Sequence, residues 1–414
     1  MIGIKNFFVS QTGKDSGIVI IGTVLNVVAG GLFFILVPRF LGPDDYGLFS
    51  TILATGLAAT AIANFGIDTG ILRFAKKDPA KLNLILSMAL KSYLVIGFVV
   101  ALIGLLISQP LSQFLGHPEI AVLLKVAFIG NIFLLLTNLF VAGLQAKNQF
   151  AKASQLNIAS NILRLFLLVI AAYFFTVNLF LITILFFLIP VISVAVGKIL
   201  MPIKLESINK KELINFHKYN LWIGLSLIIA SVPFDNYFIL KLAGTAETGL
   251  YAAPFKILAI CYQFGGNLTR VLAPRLTEVK NPQQLKDLIR LVIPLPLAFI
   301  IGLLILIPLA NILITILFGQ TYASAISIFR ILTVGFIFFF AGIIPSAIIL
   351  YHFGKSNVSF AITFLRYLVF VVLLALFVPG KGAAGAAIAF TSTEFFSFIL
   401  MTAYTVLNYK NHDT

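Results

Sequence analysis

Apolar runs of about twenty residues or more follow one another along this chain with little between them, and no other feature constrains the fold so strongly. A helix rises 1.5 Å per residue, so twenty apolar residues cross the ~30 Å hydrocarbon core of a bilayer. Twelve such runs can be drawn, at 16–38, 46–66, 84–108, 120–144, 154–176, 179–200, 213–240, 248–269, 288–314, 323–350, 356–378 and 383–407. Only 10% of the 414 residues are charged and 60% are apolar, too few charges to clothe a soluble globule. The sequence therefore predicts an all-α integral membrane protein of twelve transmembrane helices. It excludes a soluble enzyme, a nucleic-acid binder and a disordered chain. The basic stretch MIGIKNFFVSQTGKD ahead of the first run lacks a small-residue cleavage site and is expected to be retained.

An even number of spans puts both termini on one side. Of the 29 Lys and Arg residues, Arg39, Lys241 and Lys381 fall in loops opposite the termini, and Lys125, Arg164, Lys256, Arg330 and Arg366 fall inside spans. The remaining 21 lie on the side of the termini. The positive-inside bias makes that side the cytoplasm, so a multi-pass cell (inner or plasma) membrane protein is expected. Loop placement beside anionic lipid also accounts for the net charge of +15. One cysteine, Cys261, excludes an internal disulfide, and the four histidines share no ligand spacing, so neither a metal nor a cofactor is expected.

The chain repeats itself. PRFLGPDDYGLF (Pro38 to Phe49) and LKLAGTAETGLY (Leu240 to Tyr251) align at a shift of 202, pairing Gly42 with Gly244, Asp45 with Glu247, Gly47 with Gly249 and Phe49 with Tyr251. The same shift pairs Arg73 with Arg275 and Arg164 with Arg366, and Lys125 precedes Gly130 by five residues as Arg330 precedes Gly335. Two pseudo-symmetric six-helix lobes are expected, residues 1–203 and 204–414, in parallel orientation because each half holds an even number of spans. The loop glycines read as tight reversals rather than binding residues.

An ionisable side chain inside a span costs at least ~2.5–3.5 kcal/mol on insertion scales, so each is a candidate for function. Arg164 sits mid-span on a polar stripe with Ser154, Asn157 and Asn161, and Arg366 sits on a matching stripe with Ser356, Ser359 and Thr363. Matching stripes point to a wet cavity lined by both halves. Lys256, Gln263, Asn267 and Arg270 recur at helical spacing in span eight and are added to the cavity candidates. The acids Asp235 (after the kink expected at Pro233), Glu394 and Asp68 are candidates for ion coupling, with Asp235–Lys256 and Glu394–Arg366 as conceivable pairs. Lys125, Arg330 and Arg73 form a second tier, nearer the interfaces where long side chains snorkel. A cationic surplus suits an anionic cargo, and the guanidinium fork suits phosphate.

These residues resemble a known family. LVPRFLGPDDYGLF, FDNYFILKLAGTAETGLYAAPFKI, FGKSNVSFAITFLRYLV and GKGAAGAAIAFTSTE are similar to segments of the polysaccharide-transporter flippases. That family sits in the multidrug/oligosaccharidyl-lipid/polysaccharide superfamily with the MATE exporters. The resemblance spans essentially the whole chain and implies a MATE-like fold. It implies transfer of polyprenyl-pyrophosphate-linked oligosaccharide from the cytoplasmic to the outer leaflet by alternating access, as in O-antigen biosynthesis, with H⁺ or Na⁺ as coupling ion. It also places Asp235 at the family's acidic position in span seven. Expected partners are the lipid-linked oligosaccharide, membrane lipid and other polysaccharide-assembly membrane proteins; no nucleic acid is expected, and the chain is expected to act as a monomer. Two alternatives stand beside it: a MATE-type drug or metabolite antiporter, disfavoured by the basic spans, and an integral-membrane glycosyltransferase or polysaccharide polymerase, disfavoured by short outer loops.

Overall fold

The computed structural model describes the backbone of residues 11–279 and 281–411. It describes side chains from Val28 on, except at positions 222, 223, 226, 267, 270, 271, 274, 410 and 411. The elements are α1 (Gln11–Asn64), α2 (Ile67–Lys77), α3 (Leu82–Leu115), α4 (Ala121–Ala146), α5 (Phe150–Phe174), α6 (Leu179–Leu188), α7 (Pro190–Leu200) and α8 (Lys210–Ser231). They continue as α9 (Phe234–Ala243), α10 (Thr245–Leu258), α11 (Ile260–Glu278), α12 (Pro282–Val292), α13 (Pro294–Phe318), α14 (Ala325–Ala347) and α15 (Ser356–Asn411), with a π-helical turn at Ile348–His352. No strand occurs among the described residues. Lipid offers no hydrogen-bond partners, and helices satisfy their own backbone.

Eight stretches among the described residues are long and apolar enough to cross a membrane, including Pro79–Leu115, Pro282–Phe318 and Ala325–His352. Side chains such as Leu106, Phe98 and Ile316 are mostly exposed, as lipid-facing residues are. This is a multi-pass membrane protein. Two of the eight stretches are divided internally by glycine. Gly42 (φ 72°) breaks α1 and Gly382 (φ 52°) breaks α15, each in the left-handed region that a side chain disfavours. The runs at 213–240 and 248–269 are interrupted instead of continuous. Val232 turns extended ahead of Pro233, as residues before proline do, and Ala259 separates α10 from α11.

The chain forms two compact units. The first runs to Leu41 and then from Leu48 to Pro233, and the second holds Gly42–Gly47 and everything from Phe234 on. The division thus falls at Pro233, thirty residues beyond the end of the sequence repeat at 203. The reason is local. The connector after α7 is tied along α3, where Asn83 donates to the Lys204 carbonyl (2.8 Å) and Ser87 donates to the same oxygen (2.7 Å). Then α8 packs on α2 and α3, with Phe216 against Phe74, His217 Nε2 2.9 Å from Ser92 Oγ, and Arg73 over the Tyr219 ring.

A glycine-to-phenylalanine contact recurs in the two units. In the first, a Cβ on Gly130 would lie 2.6 Å from Phe187 Cβ, so the glycine seats the wholly buried Phe187. In the second, a Cβ on Gly335 would meet the ring of Phe390 at 2.6 Å. The repeat is therefore one of packing as well as of sequence. The second unit also contains a reciprocal glycine crossing. A Cβ on Gly47 would stand 2.0 Å from the Thr245 carbonyl oxygen, and one on Gly249 would stand 2.0 Å from the Pro43 carbonyl oxygen. Asp44 accepts a hydrogen bond from Thr245 beside it, and Glu247 accepts from the Ala383 amide (2.7 Å), capping the second arm of α15. Gly249→Ala is expected to lower the thermal midpoint of the purified protein, at a cost of about 1–3 kcal/mol, since backbone cannot yield as a side chain can. Gly266→Ala, with open space around it, is the control expected to melt like the parent.

Candidate functional site

In the second unit, α11, α14 and the two arms of α15 enclose a cavity of about 340 Å³. Small residues open it. Gly265 lets α11 approach Phe339 closely, while Gly266 and Gly342 leave room at the wall. Aromatic and apolar groups (Phe338, Phe339, Ile343, Met401) form much of the lining, and Tyr262, Thr269, Ser346, Thr363 and Ser397 add hydroxyls. Spacing explains which residues converge. Glu394, Ser397 and Met401 lie at i, i+3 and i+7 on one face of the second arm, and Thr363 and Arg366 lie three apart on the first.

Among the described residues, the charges lining the cavity are a pair. Arg366 donates from one terminal nitrogen to Glu394 Oε1 at 2.8 Å. Glu394 is 5% exposed and Arg366 23%, so the acid is sunk in the wall and the arginine is the more exposed partner. A carboxylate this deep is tolerable only with a counter-charge. Arg366 also lies over the Tyr367 ring at 5.1 Å. The result is a small, largely apolar chamber, formally neutral among the described residues, whose more exposed charged member is a phosphate-binding group.

The repeat-related Arg164 has a different setting. It lies in the first unit, is 6% exposed, and does not line this cavity. It donates to the Phe186 carbonyl (3.2 Å) and to Asn161 Oδ1 (3.1 Å), and its guanidinium lies 4.2 Å over the Phe186 ring. Its Nε has no hydrogen-bond partner among the described residues. Pro190 stands four residues after Phe186 and has no N–H to give that carbonyl, so Arg164 supplies the missing donor. Aligning Phe187 with Phe390 puts Val191 where the second unit has Glu394. An arginine without an acid opposite it has taken a backbone oxygen.

The remaining candidates scatter. Asp235 accepts from Tyr251 Oη (3.1 Å) and from the Asn236 amide (2.9 Å). Lys256 is half-buried on α10. The break at Ala259 takes Lys256 off the helix that carries Gln263, and Gln263 is exposed while its neighbour Tyr262 lines the cavity. The side chains of Asn267 and Arg270 lie outside the described residues. Asn157 and Asn161 are half-buried on α5. Asp68 accepts from the Thr69 amide at the start of α2 (2.8 Å). Lys125 is half-buried, Arg330 donates to the Ile307 carbonyl (3.3 Å), and exposed Arg73 stacks on Tyr219. Sequence reasoning brought out Arg366 and Glu394 but passed over Tyr262, Thr269, Ser346 and Ser397. The doublet Gly265–Gly266 was the available sign that α11 borders a space.

Comparison with known proteins agrees across the chain. A family described as "Polysaccharide biosynthesis protein" matches residues 12–280. A putative O-antigen transporter of Shigella flexneri is 22% identical over 373 residues, covering 85% of this chain and 88% of that one. Among solved structures, an inward-facing multidrug resistance MATE family transporter of the MOP superfamily aligns with TM-score 0.76 at 18% identity, covering 94% of each chain. The lipid II flippase MurJ in an inward closed conformation aligns with TM-score 0.77 at 14% identity, covering 93% of this chain and 87% of that one. At such identity these likenesses establish the fold, which is MATE-like.

Proposed function

Because the chain belongs to the polysaccharide biosynthesis protein family of membrane transporters, within the MOP superfamily, we propose that it flips a polyprenyl-pyrophosphate-linked oligosaccharide. Movement runs from the cytoplasmic to the outer leaflet of the cell membrane, for O-antigen or related polysaccharide synthesis. The observation that carries this reading is the Arg366–Glu394 cavity, with the guanidinium at its surface and hydroxyls around it. Arg366 takes the diphosphate through charge-assisted hydrogen bonds, and Thr269, Ser346, Thr363 and Ser397 take sugar hydroxyls. Lys256, on α10 and not in the cavity lining, is kept as a separate candidate cation for cargo. Arg164, engaged by the Phe186 carbonyl, is given no cargo contact.

The proposal includes twelve spans as two six-helix lobes, both termini in the cytoplasm, a monomer working by alternating access, and coupling to a H⁺ or Na⁺ gradient through Asp235 or Glu394. It includes no bound cofactor, and other polysaccharide-assembly membrane proteins as neighbours. Support for the carboxylates comes from their placement: Asp235 is bonded to a fully buried tyrosine and Glu394 to Arg366. The test is reconstitution into vesicles with a fluorescent lipid-pyrophosphate-sugar, run with and without a proton or sodium gradient. Labelled lipid is expected to reach the opposite leaflet only in protein-containing vesicles. Protein-independent rates under every gradient, together with gradient-driven movement of an organic cation, would replace the flippase reading by the antiporter one.

A further inference from the structure

The cavity of the second unit contains its own anion, and we propose that cargo phosphate and Glu394 compete for Arg366, so that each phosphate bound brings one proton onto Glu394. The inference rests on the reading of the chain as a carrier of a diphosphate-bearing lipid. Its basis is the unequal burial of the two partners. Arg366 is 23% exposed at the cavity surface, whereas Glu394 is 5% exposed in the wall behind it. Phosphate engages a guanidinium best through two parallel N–H donors, and one terminal nitrogen of Arg366 is now held by Glu394 Oε1 at 2.8 Å. Glu394 thus occupies in the empty cavity the position a cargo oxygen takes in the filled one.

Exchange leaves Glu394 without its cation in a place that water barely reaches. A buried carboxylate without a counter-charge is neutralised rather than kept ionised. The bookkeeping is simple: Arg366 keeps its charge, one hydrogen bond from Arg366 to Glu394 is replaced by one from Arg366 to phosphate, and one proton from solvent joins the carboxylate. Ser397, one turn further along the same face, donates to Met401 Sδ and retains lone pairs that a protonated Glu394 can use. The elements around Glu394 carry further ionisable groups: Asp235, Tyr237 and Lys241 on α9, Glu247, Tyr251 and Lys256 on α10, Cys261, Tyr262, Arg275 and Glu278 on α11, Arg330 on α14, Tyr351 and His352 on the π-helical turn, and Tyr367, Lys381, Tyr404 and Tyr409 on α15, with the Arg270 side chain outside the described residues. Arg366 is the group bonded to Glu394. Among the described residues the empty cavity is neutral through an internal pair, and the filled cavity carries a proton with its anion.

Calorimetry on the purified full chain tests this, with a short-chain prenyl-diphosphate-sugar as probe, since its diphosphate diester does not titrate near neutral pH. Titrations in two buffers of different ionisation enthalpy give the protons taken up per probe bound. The parent is expected to take up about one proton and to bind about tenfold more tightly for each unit fall in pH. Glu394→Gln is expected to take up none and to lose the pH dependence. It should bind about tenfold or more tightly at high pH, since its side chain no longer competes as an anion. Binding by the parent with no proton uptake and a flat pH profile overturns the proposal. So does proton uptake that persists in Glu394→Gln, or tightening that follows Na⁺ at fixed pH in place of protons. Failure of the parent to bind the probe at all is a different result, which removes the carrier reading on which the proposal stands. If Glu394→Gln does not fold, Glu394→Asp keeps the carboxylate and must keep the proton uptake, and the parent's own profile still decides.

Discussion

Arg366→Ala is expected to stop movement of the lipid-linked glycan and to destabilise the folded protein by about 3–5 kcal/mol. Both effects come from one contact. The substitution removes the exposed cation of the cavity and strands Glu394, only 5% exposed, without a counter-charge. The double variant Arg366→Met with Glu394→Leu separates the two. Replacing both members of a buried pair with apolar groups of similar volume is often neutral or stabilising. The double variant should therefore melt near the parent while remaining inactive in the vesicle assay. Arg366→Lys is expected to keep much of the stability but to transport more slowly, since an ammonium is a point charge without the planar fork. The measurements are thermal unfolding in detergent and leaflet transfer of labelled lipid. An active Arg366→Ala protein, or a double variant that transports, would detach the cavity from function.

The fold class was legible because it rests on length and composition, which lipid reads directly: runs of about twenty apolar residues have few alternatives to helix. Segment breaks were legible where the chain carries an explicit signal. Pro233 is such a signal, and a helix ends two residues before it. The turn at Ala259, whose backbone stays in the right-handed helical region, has no such marker, and it divides the run that carries Lys256 and Gln263 between two helices. The connector's attachment to α3 was equally hidden. It depends on backbone groups of Lys204 and Glu206 meeting Asn83 and Ser87, and backbone hydrogen bonding leaves no trace in composition. The repeat correctly related Gly47 to Gly249 and Gly130 to Gly335, and the structure gives both pairs close contacts in which a side chain would collide. The halves have diverged elsewhere. Arg164 and Arg366 align, but their surroundings do not, since one meets a carbonyl and the other a carboxylate.

That divergence makes a second large effect predictable. Arg164→Ala is expected to cost about 2–4 kcal/mol, through the loss of a charge-assisted bond to a buried carbonyl and of the arginine's contact with the Phe186 ring. The cause to be tested is Pro190. In an uninterrupted helix the amide of residue 190 would donate to the Phe186 carbonyl, and proline has none to give. Pro190→Ala restores that amide. In the Pro190→Ala background, Arg164→Ala should therefore cost less, with a coupling energy of about 1–2 kcal/mol between two residues twenty-six positions apart. Arg164→Met keeps most of the side-chain volume and isolates the loss of the donor from the loss of packing. Thermal or denaturant unfolding of the four proteins in the cycle supplies the numbers. Strict additivity would mean that Arg164 stabilises this region by some route other than the orphaned carbonyl. Its buried charge would then be unexplained by the Phe186 contact, and Arg164 would return as a cargo ligand. Coupling of the expected sign would make it a structural counterpart of Arg366: the same residue at the same place in the repeat, holding a helix break in one half and an exchangeable acid in the other.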